Sequence, residues 1–418
     1  MSCKIVIRSP WTPEKGGSGY VSSQTVYRKK VFILLHYRMV QKTKVLAQRG
    51  AVKMLKTLLS EAGFSHPFLV FDKGIAATPI LSLITDSLSG IPFTLYDKIT
   101  PDPAAALVDE GAACYKAAGC DCIIAIGGGS TLDAAKGINV MCHNEGKILD
   151  FVGQEKRMKP SSSLICIPTT SGTGSELSNW IVITDSEKRE KHPINVINSM
   201  CEYAVLDAEL TVGLPPQITA STGLDVFSHA FEAYTSTRSN PATDFICEKI
   251  METVCEYLPK AVKNGTDIEA REKMMIAASY GGWMLVDGVV HIGHCIAHEI
   301  GAAFHIPHGA ACAYAFPAMV EHIAAAHPDK IRYTGSLLGA SFNEADTPEQ
   351  IAAKTCAAYC RFRDETAGLK PISDYHPDLS RVSLSMAESI AKDPLSSLTP
   401  VPVHTEDVLY MLYRIFIS

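Results

Sequence analysis

Six residues, Asp121-Cys-Ile-Ile-Ala-Ile126, run without a break into Gly127-Gly-Gly-Ser-Thr-Leu-Asp133, and no other stretch narrows the possible folds of this chain so far. A run apolar on both of its faces must be covered on both, which is the condition of an interior strand in a parallel sheet. Three consecutive glycines allow a sharp turn and close backbone approach. The helical spacing that follows presents unpaired N–H groups and the positive end of a helix dipole. Together these suit a phosphate or pyrophosphate, although the pattern is neither G-x-G-x-x-G nor a Walker A box. A purely structural turn is the alternative. Its position at the carboxyl end of a parallel strand favours a ligand.

The surrounding sequence repeats the same unit. Residues 27–35 suggest a strand, and residues 45–62 carry helical periodicity ending at Gly63. Then come a short buried strand over 67–72 that ends in Asp72, a turn at Lys73 and Gly74, a helix over 81–88, a strand over 93–97 and a helix over 103–118. Alternation of this kind predicts βαβ units and a parallel sheet. A further apolar strand over 164–168 delivers Thr169-Thr-Ser-Gly-Thr-Gly-Ser-Glu176, small donors suited to a ribose or diphosphate edge or, alternatively, to helix capping. Residues 180–184 and 203–207 resume strand character, with Lys188, Arg189 and Lys191 between them as a solvated turn. Residues 1–25, rich in Gly, Ser and Pro, are expected to be a loosely structured lead-in.

At Gly213-Leu-Pro-Pro216 the texture changes to helical periods alone, so the expected domains are 1–214 and 215–418. Asp225 and His229 stand four apart among apolar neighbours, on one helical face. His294 and His298 repeat that spacing, and His308 follows Pro307 at the start of another helix. A lone histidine on an apolar face is usually a hydrogen-bonded core residue. Imidazoles and a carboxylate gathered in apolar sequence are instead costly to bury unless a divalent metal organises them. Asp225, His229, His294 and His308 form a set that Zn(II) and Fe(II) both accept. His305 is left without a role.

Composition limits the alternatives. The chain has 418 residues, enough for two domains, with 47% hydrophobic and 20% charged residues and a net charge of -6. That describes a mildly acidic globular protein with no basic excess to suggest nucleic acid. The 13 cysteines are scattered, mostly in apolar runs, as in a reducing cytoplasm; Cys120 and Cys122 are too close for a zinc knuckle. No uninterrupted apolar window of about 18 residues occurs, and no export signal is apparent, so a membrane partner is not expected.

Taken together, Gly127-Gly-Gly-Ser-x-x-Asp133, Pro168-Thr-Thr-x-Gly-Thr-Gly-Ser-Glu176, Gly223-x-Asp225-x-x-x-His229, Ser239-Asn-Pro-Ala-Thr243 and His294-x-x-x-His298 leading to Pro307-His308-Gly309 resemble the iron-containing (group III) alcohol dehydrogenase family, in order and spacing. The resemblance covers roughly residue 68 to the C-terminus. It implies an α/β plus all-α fold: a Rossmann-like parallel-sheet dinucleotide domain, then a helical metal-binding domain, in a dehydroquinate synthase-like architecture. It further implies NAD(H), Fe(II) in preference to Zn(II), a homodimer, and metal ligands at Asp225, His229, His294 and His308. By the same resemblance Gly127, Gly128, Gly129, Ser130 and Asp133 belong to the pyrophosphate turn. Thr169, Thr170 and Thr173 match cofactor-contacting positions, Lys191 matches a lysine reaching the ribose, and Asp72 matches the acid on the adenosine ribose. A carboxylate there repels a 2'-phosphate, which favours NAD(H) over NADP(H).

The implied reaction interconverts a small primary alcohol or diol and its aldehyde. The metal polarises the substrate oxygen, hydride passes to or from the nicotinamide, and His298 relays the proton. The rival is a redox-neutral lyase of the dehydroquinate synthase type, which also uses NAD and a metal. Two features depart from the family: the first sixty or so residues fit its start poorly, and Asp287 and His291 stand where relatives carry other residues. With Glu299, these two are candidates for altering substrate choice or adding a polar network.

Overall fold

The computed structural model describes residues 37–159, 163–188 and 190–417. The expected lead-in over 1–25 and the strand expected over 27–35 lie outside them. Six strands, β1 (Lys44–Ala47), β2 (Pro67–Asp72), β3 (Thr94–Ile99), β4 (Cys122–Gly127), β5 (Leu164–Pro168) and β8 (Tyr203–Leu206), form one sheet in the order β1-β8-β5-β4-β2-β3. Every neighbouring pair in it is parallel. Between β5 and β8, β6 (Trp180–Asp185) and β7 (Glu190–Asn195) make a separate antiparallel hairpin.

Side-chain alternation explains why both faces of the sheet are covered. Phe68, Val70, Ile123, Ala125, Leu164 and Cys166 pack on one side, under α4 (Ala105–Ala118) and α5 (Gly129–Cys142). Leu69, Phe71, Ile124, Ile126, Ile165 and Ile167 pack on the other, under α1 (Leu55–Ala62) and the pair α2 (Lys73–Ala76) and α3 (Pro79–Ser87). The helical period expected over 45–62 is shorter than that. Lys44–Ala47 pairs with β8 instead, and Gly50 in the left-handed region (φ 69°) breaks the chain before α1. Long-range strand pairing overrides local periodicity here. The turn expected around Lys188 is also tighter, because Lys191 lies within β7 opposite Thr184.

Helices follow: α6 (Pro216–Thr235), α7 (Pro241–Lys263), α8 (Ile268–Asp287), α9 (Ile292–Phe304), α10 (His308–His322), α11 (Pro328–Leu337), α12 (Pro348–Arg361), α13 (Leu384–Lys392) and α14 (Thr405–Ile417). Helix α6 is buried from Thr219 onward on almost every face, against α7, α8 and α10, and among its apolar residues it carries Asp225, His229 and Glu232 into the interior. Phe304, against Phe416, and Phe316, stacked on Tyr359, are core residues. Among the described residues, no single helix is long and apolar enough to cross a membrane.

The sheet-bearing and helical parts meet at a close seam. The loop after β5 lies so near α8 that a Cβ on Gly174 (φ 58°) would sit 2.2 Å from the Ala278 carbonyl oxygen. Beside it the buried Ser279 hydroxyl donates to Glu176 Oε1 at 2.5 Å, and Trp180 Nε1 donates to the Leu285 carbonyl at 3.0 Å. His305 gains a role as the residue that ends α9 in the left-handed region (φ 54°), exposed to solvent. Left-handed backbone costs a side-chain-bearing residue roughly 1 kcal/mol that glycine does not incur. His305→Gly is therefore expected to raise unfolding stability by about 1 kcal/mol, measured by denaturant titration; an unchanged or lower midpoint would contradict that origin.

Candidate metal centre and cofactor crevice

Three helices bring the histidines and the acid together. Asp225 and His229 lie one turn apart on α6, His294 lies in the first turn of α9, and His308 opens α10. Glycine makes the last of these approaches possible: a Cβ on Gly309 would sit 2.2 Å from the Ser221 carbonyl oxygen, so only glycine lets the start of α10 rest on α6. As a result the Nε2 atoms of His229, His294 and His308 each stand 3.7 Å from one oxygen, Asp225 Oδ1. Asp225, His229 and His294 are buried, whereas the His308 side chain is 38% exposed and forms the open side.

The electrostatics of this cluster are those of a cation site. Asp225 Oδ1 and His294 Nε2 are buried without a hydrogen-bond partner among the described residues. Burial alone would raise the Asp225 carboxyl, but the imidazoles of His229, His308 and His294 hold it below its ordinary range. Burial pushes His229 down to about 4 against the pull of Asp225, so that ring is neutral and able to ligate. His294 is opposed by burial and raised by Glu232 and Asp225. Two buried carboxylates, Asp225 and Glu232, each held below its ordinary range, thus face one imidazole, His294, raised above its own. A divalent ion fits that imbalance and that donor set.

Glu232, which no spacing motif singles out, supports the site from behind. It is 1% exposed and lies on α6 three residues after His229. Its Oε1 is 2.5 Å from His294 Nδ1, and its Oε2 accepts from the backbone N–H groups of His291 at 2.7 Å and His294 at 3.3 Å. A carboxylate on Nδ1 fixes the tautomer, so that His294 Nε2 faces Asp225 with its lone pair. His291 belongs to this supporting layer, its Nε2 lying 3.0 Å from the Thr235 hydroxyl. The i, i+3 placement after His229 is the one local hint of Glu232; its burial becomes visible only once α9 packs back.

Other predicted positions divide. His298 is half-buried, with its ring stacked on His308 at 5.3 Å; burial, then His308, His294 and Lys191, hold it well below the ordinary histidine range. Asp287 accepts from Trp283 Nε1 at 2.8 Å and from the Val40 backbone, tying down the segment before β1. Glu299 accepts from Ser389. Neither belongs to the Asp225, His229, His294 and His308 cluster.

A crevice of about 1140 Å³ opens at the carboxyl ends of β2 and β4, lined by Asp72, Gly128, Gly129, Ser130, Thr169 and Thr170. From β2 the chain crosses to β3 on one side, and from β4 to β5 on the other, so the crevice occupies the point where the winding reverses. Open α/β sheets bind ligands there. Asp72 caps α2 through Ile75 N at 3.0 Å and accepts from the Thr131 hydroxyl at 3.1 Å, which joins the two loops on either side of the crevice. Asp133 does not line it: its oxygens receive Ser175 Oγ, Lys136 Nζ and Val182 N. Thr173 packs on Gly129, and Lys191 Nζ is 2.6 Å from Asp102.

Comparison with known proteins agrees with this arrangement. Residues 42–208 match the family described as iron-containing alcohol dehydrogenase, and residues 219–416 match the C-terminal part of the Fe-containing alcohol dehydrogenase family. An NAD-dependent methanol dehydrogenase from Bacillus methanolicus is 35% identical over 72% of this chain and 79% of its own. A choline dehydrogenase from Bacillus subtilis is 30% identical over 88% of this chain and 92% of its own. The crystal structure of a 1,3-propanediol oxidoreductase superposes with a TM-score of 0.85 at 26% identity, covering 91% of this chain and all (100%) of that one. With the fold, the crevice and both halves of the sequence in agreement, this chain belongs to the iron-containing alcohol dehydrogenase family.

Proposed function

We propose that the chain interconverts a small primary alcohol or diol and its aldehyde with NAD(H), using a divalent metal, iron in the first instance, held by Asp225, His229, His294 and His308. The observation that carries the assignment is the convergence of three imidazole Nε2 atoms at 3.7 Å on one unpartnered carboxylate oxygen. When bound, the ion supplies Lewis acidity toward the substrate oxygen. Relatives named as dehydrogenases favour net hydride transfer over the redox-neutral lyase.

The chain's own groups do the rest. The glycine turn and the N-terminus of α5 receive the pyrophosphate, with Thr169 and Thr170 beside them. Asp72 receives the ribose hydroxyls. His298, kept neutral by burial and by the charges around it, has a ring nitrogen free to accept the proton released by the alcohol or to return it to the nascent alkoxide. A cytoplasmic homodimer completes the proposal: the cysteines of the described residues are all free, as a reducing compartment leaves them, and the dimer follows from the family resemblance.

Asp225→Ala and His308→Ala should each lose metal and turnover together while retaining NADH binding; metal analysis with a fluorescence titration of NADH decides, and full turnover after exhaustive chelation would refute the metal assignment. Asp72→Asn keeps the α2 cap but removes the charge. It should improve NADPH relative to NADH in kcat/KM by at least roughly fivefold, the equivalent of about 1 kcal/mol of repulsion; an unaltered ratio argues against Asp72 as the discriminating group. Glu232→Gln should weaken metal binding by about 10- to 100-fold in a competitive chelator titration with the circular dichroism unchanged. Unaltered affinity would remove Glu232 from the supporting role.

A further inference from the structure

Cys312 lies one turn after His308 on α10 and is 2% exposed. Its Sγ is 3.7 Å from His308 Nε2. Among the described residues, the donor atoms of Asp225, His294, His308 and Cys312 form a group in which all lie within 4.8 Å of one another. His229 joins that group through Asp225 Oδ1, at 3.7 Å. Within the same group, Asp225 Oδ1 and His294 Nε2 are buried without a hydrogen-bond partner among the described residues and stand 3.7 Å apart. Cys247, Cys312 and Cys356 all belong to the helical core, but Cys356 donates to the Pro317 carbonyl, whereas Cys312 is the one that falls within the group of histidines and carboxylate. Cys312 is a buried cysteine whose neighbours are a carboxylate and two imidazoles.

We propose that Cys312 is a sulfur donor to the metal centre, an inference that rests on the centre proposed above and adds a fifth, soft ligand to its three nitrogens and one oxygen. The spacing His308-x-x-x-Cys312 puts both side chains on one face of α10, the arrangement that lets one helix supply two ligands. A metal–sulfur bond of about 2.3 Å, beside metal–nitrogen bonds of about 2.0–2.1 Å, spans separations of this size with small side-chain adjustments. On coordination the thiol yields its proton to solvent and binds as thiolate. Sulfur shifts the preference of the site toward the softer divalent ions, zinc and cobalt, beyond what three imidazoles and a carboxylate set.

Cobalt(II) is the probe. Chelated full-length protein reloaded with one equivalent of Co(II) should show visible ligand-field bands together with a near-ultraviolet sulfur-to-cobalt charge-transfer band. Cys312→Ser, or Cys312→Ala should the serine variant not fold, should keep one Co(II) per chain and the visible bands, lose the near-ultraviolet band, and bind Co(II) more weakly by on the order of tenfold. Cys356→Ser should leave the whole spectrum unchanged. Stoichiometric Co(II) with visible bands but no charge-transfer band, or a band that survives in both Cys312 variants, overturns the sulfur ligand and leaves the metal centre standing. Failure of the wild-type chain to bind Co(II) stoichiometrically overturns the metal centre itself, and the sulfur ligand with it.

Discussion

Two carboxylates buried seven residues apart on one helix, Asp225 and Glu232, set the terms for the helical half of this protein. Charges so far from water are tolerated only where other charges and hydrogen bonds answer them. Glu232 is answered locally, by two backbone N–H groups at the start of α9 and by the imidazole of His294. Asp225 keeps one oxygen unanswered, and histidines from three helices are aimed at it. The packing of α6, α9 and α10 and the geometry of the cluster are thus one arrangement: bringing those helices to their core contacts is what brings Asp225 and the three histidines together.

The strained residue Val289 belongs to the same arrangement. It stands at φ 65°, rare for a β-branched residue, in the short connection between α8 and α9, and its N–H donates back to the Met284 carbonyl at 2.8 Å. Two residues on, His291 presents its N–H to Glu232. Backbone strain of this kind persists where surrounding contacts over-determine it, and here those contacts lead into the Glu232 hydrogen bonds that orient His294.

Much of this is legible from spacing. Asp225, His229, His294 and His308 stand out because ionisable groups at helical intervals in apolar sequence are costly to bury without a shared ligand, and the strand-glycine-helix passage at Gly127 announces its sheet. The features that escape a linear reading depend on partners distant in the chain. β1 is a strand because β8 is there to pair with it; Gly50 separates it from α1, but the apolar spacing of Lys44–Ala47 itself does not mark it as a strand. Asp133 lies in the glycine-rich passage expected to bind the cofactor, yet its oxygens are taken up by Ser175, Lys136 and the backbone of Val182, partners that a linear reading does not bring together. Glu232 and Cys312 escape notice for the opposite reason. An acid or a cysteine on a helix has many uses, and only burial beside the histidines selects one.

Between the two halves, the loop at Gly174 and the helix at Gly282 are in contact through main chain, with no room for a side chain on either. Side chains at an interface can change rotamer and let surfaces slide; a main-chain contact has no such freedom. A side chain on Gly174 or Gly282 would therefore push the sheet-bearing and helical parts apart, so the fit of the two halves is set by backbone alone at this point.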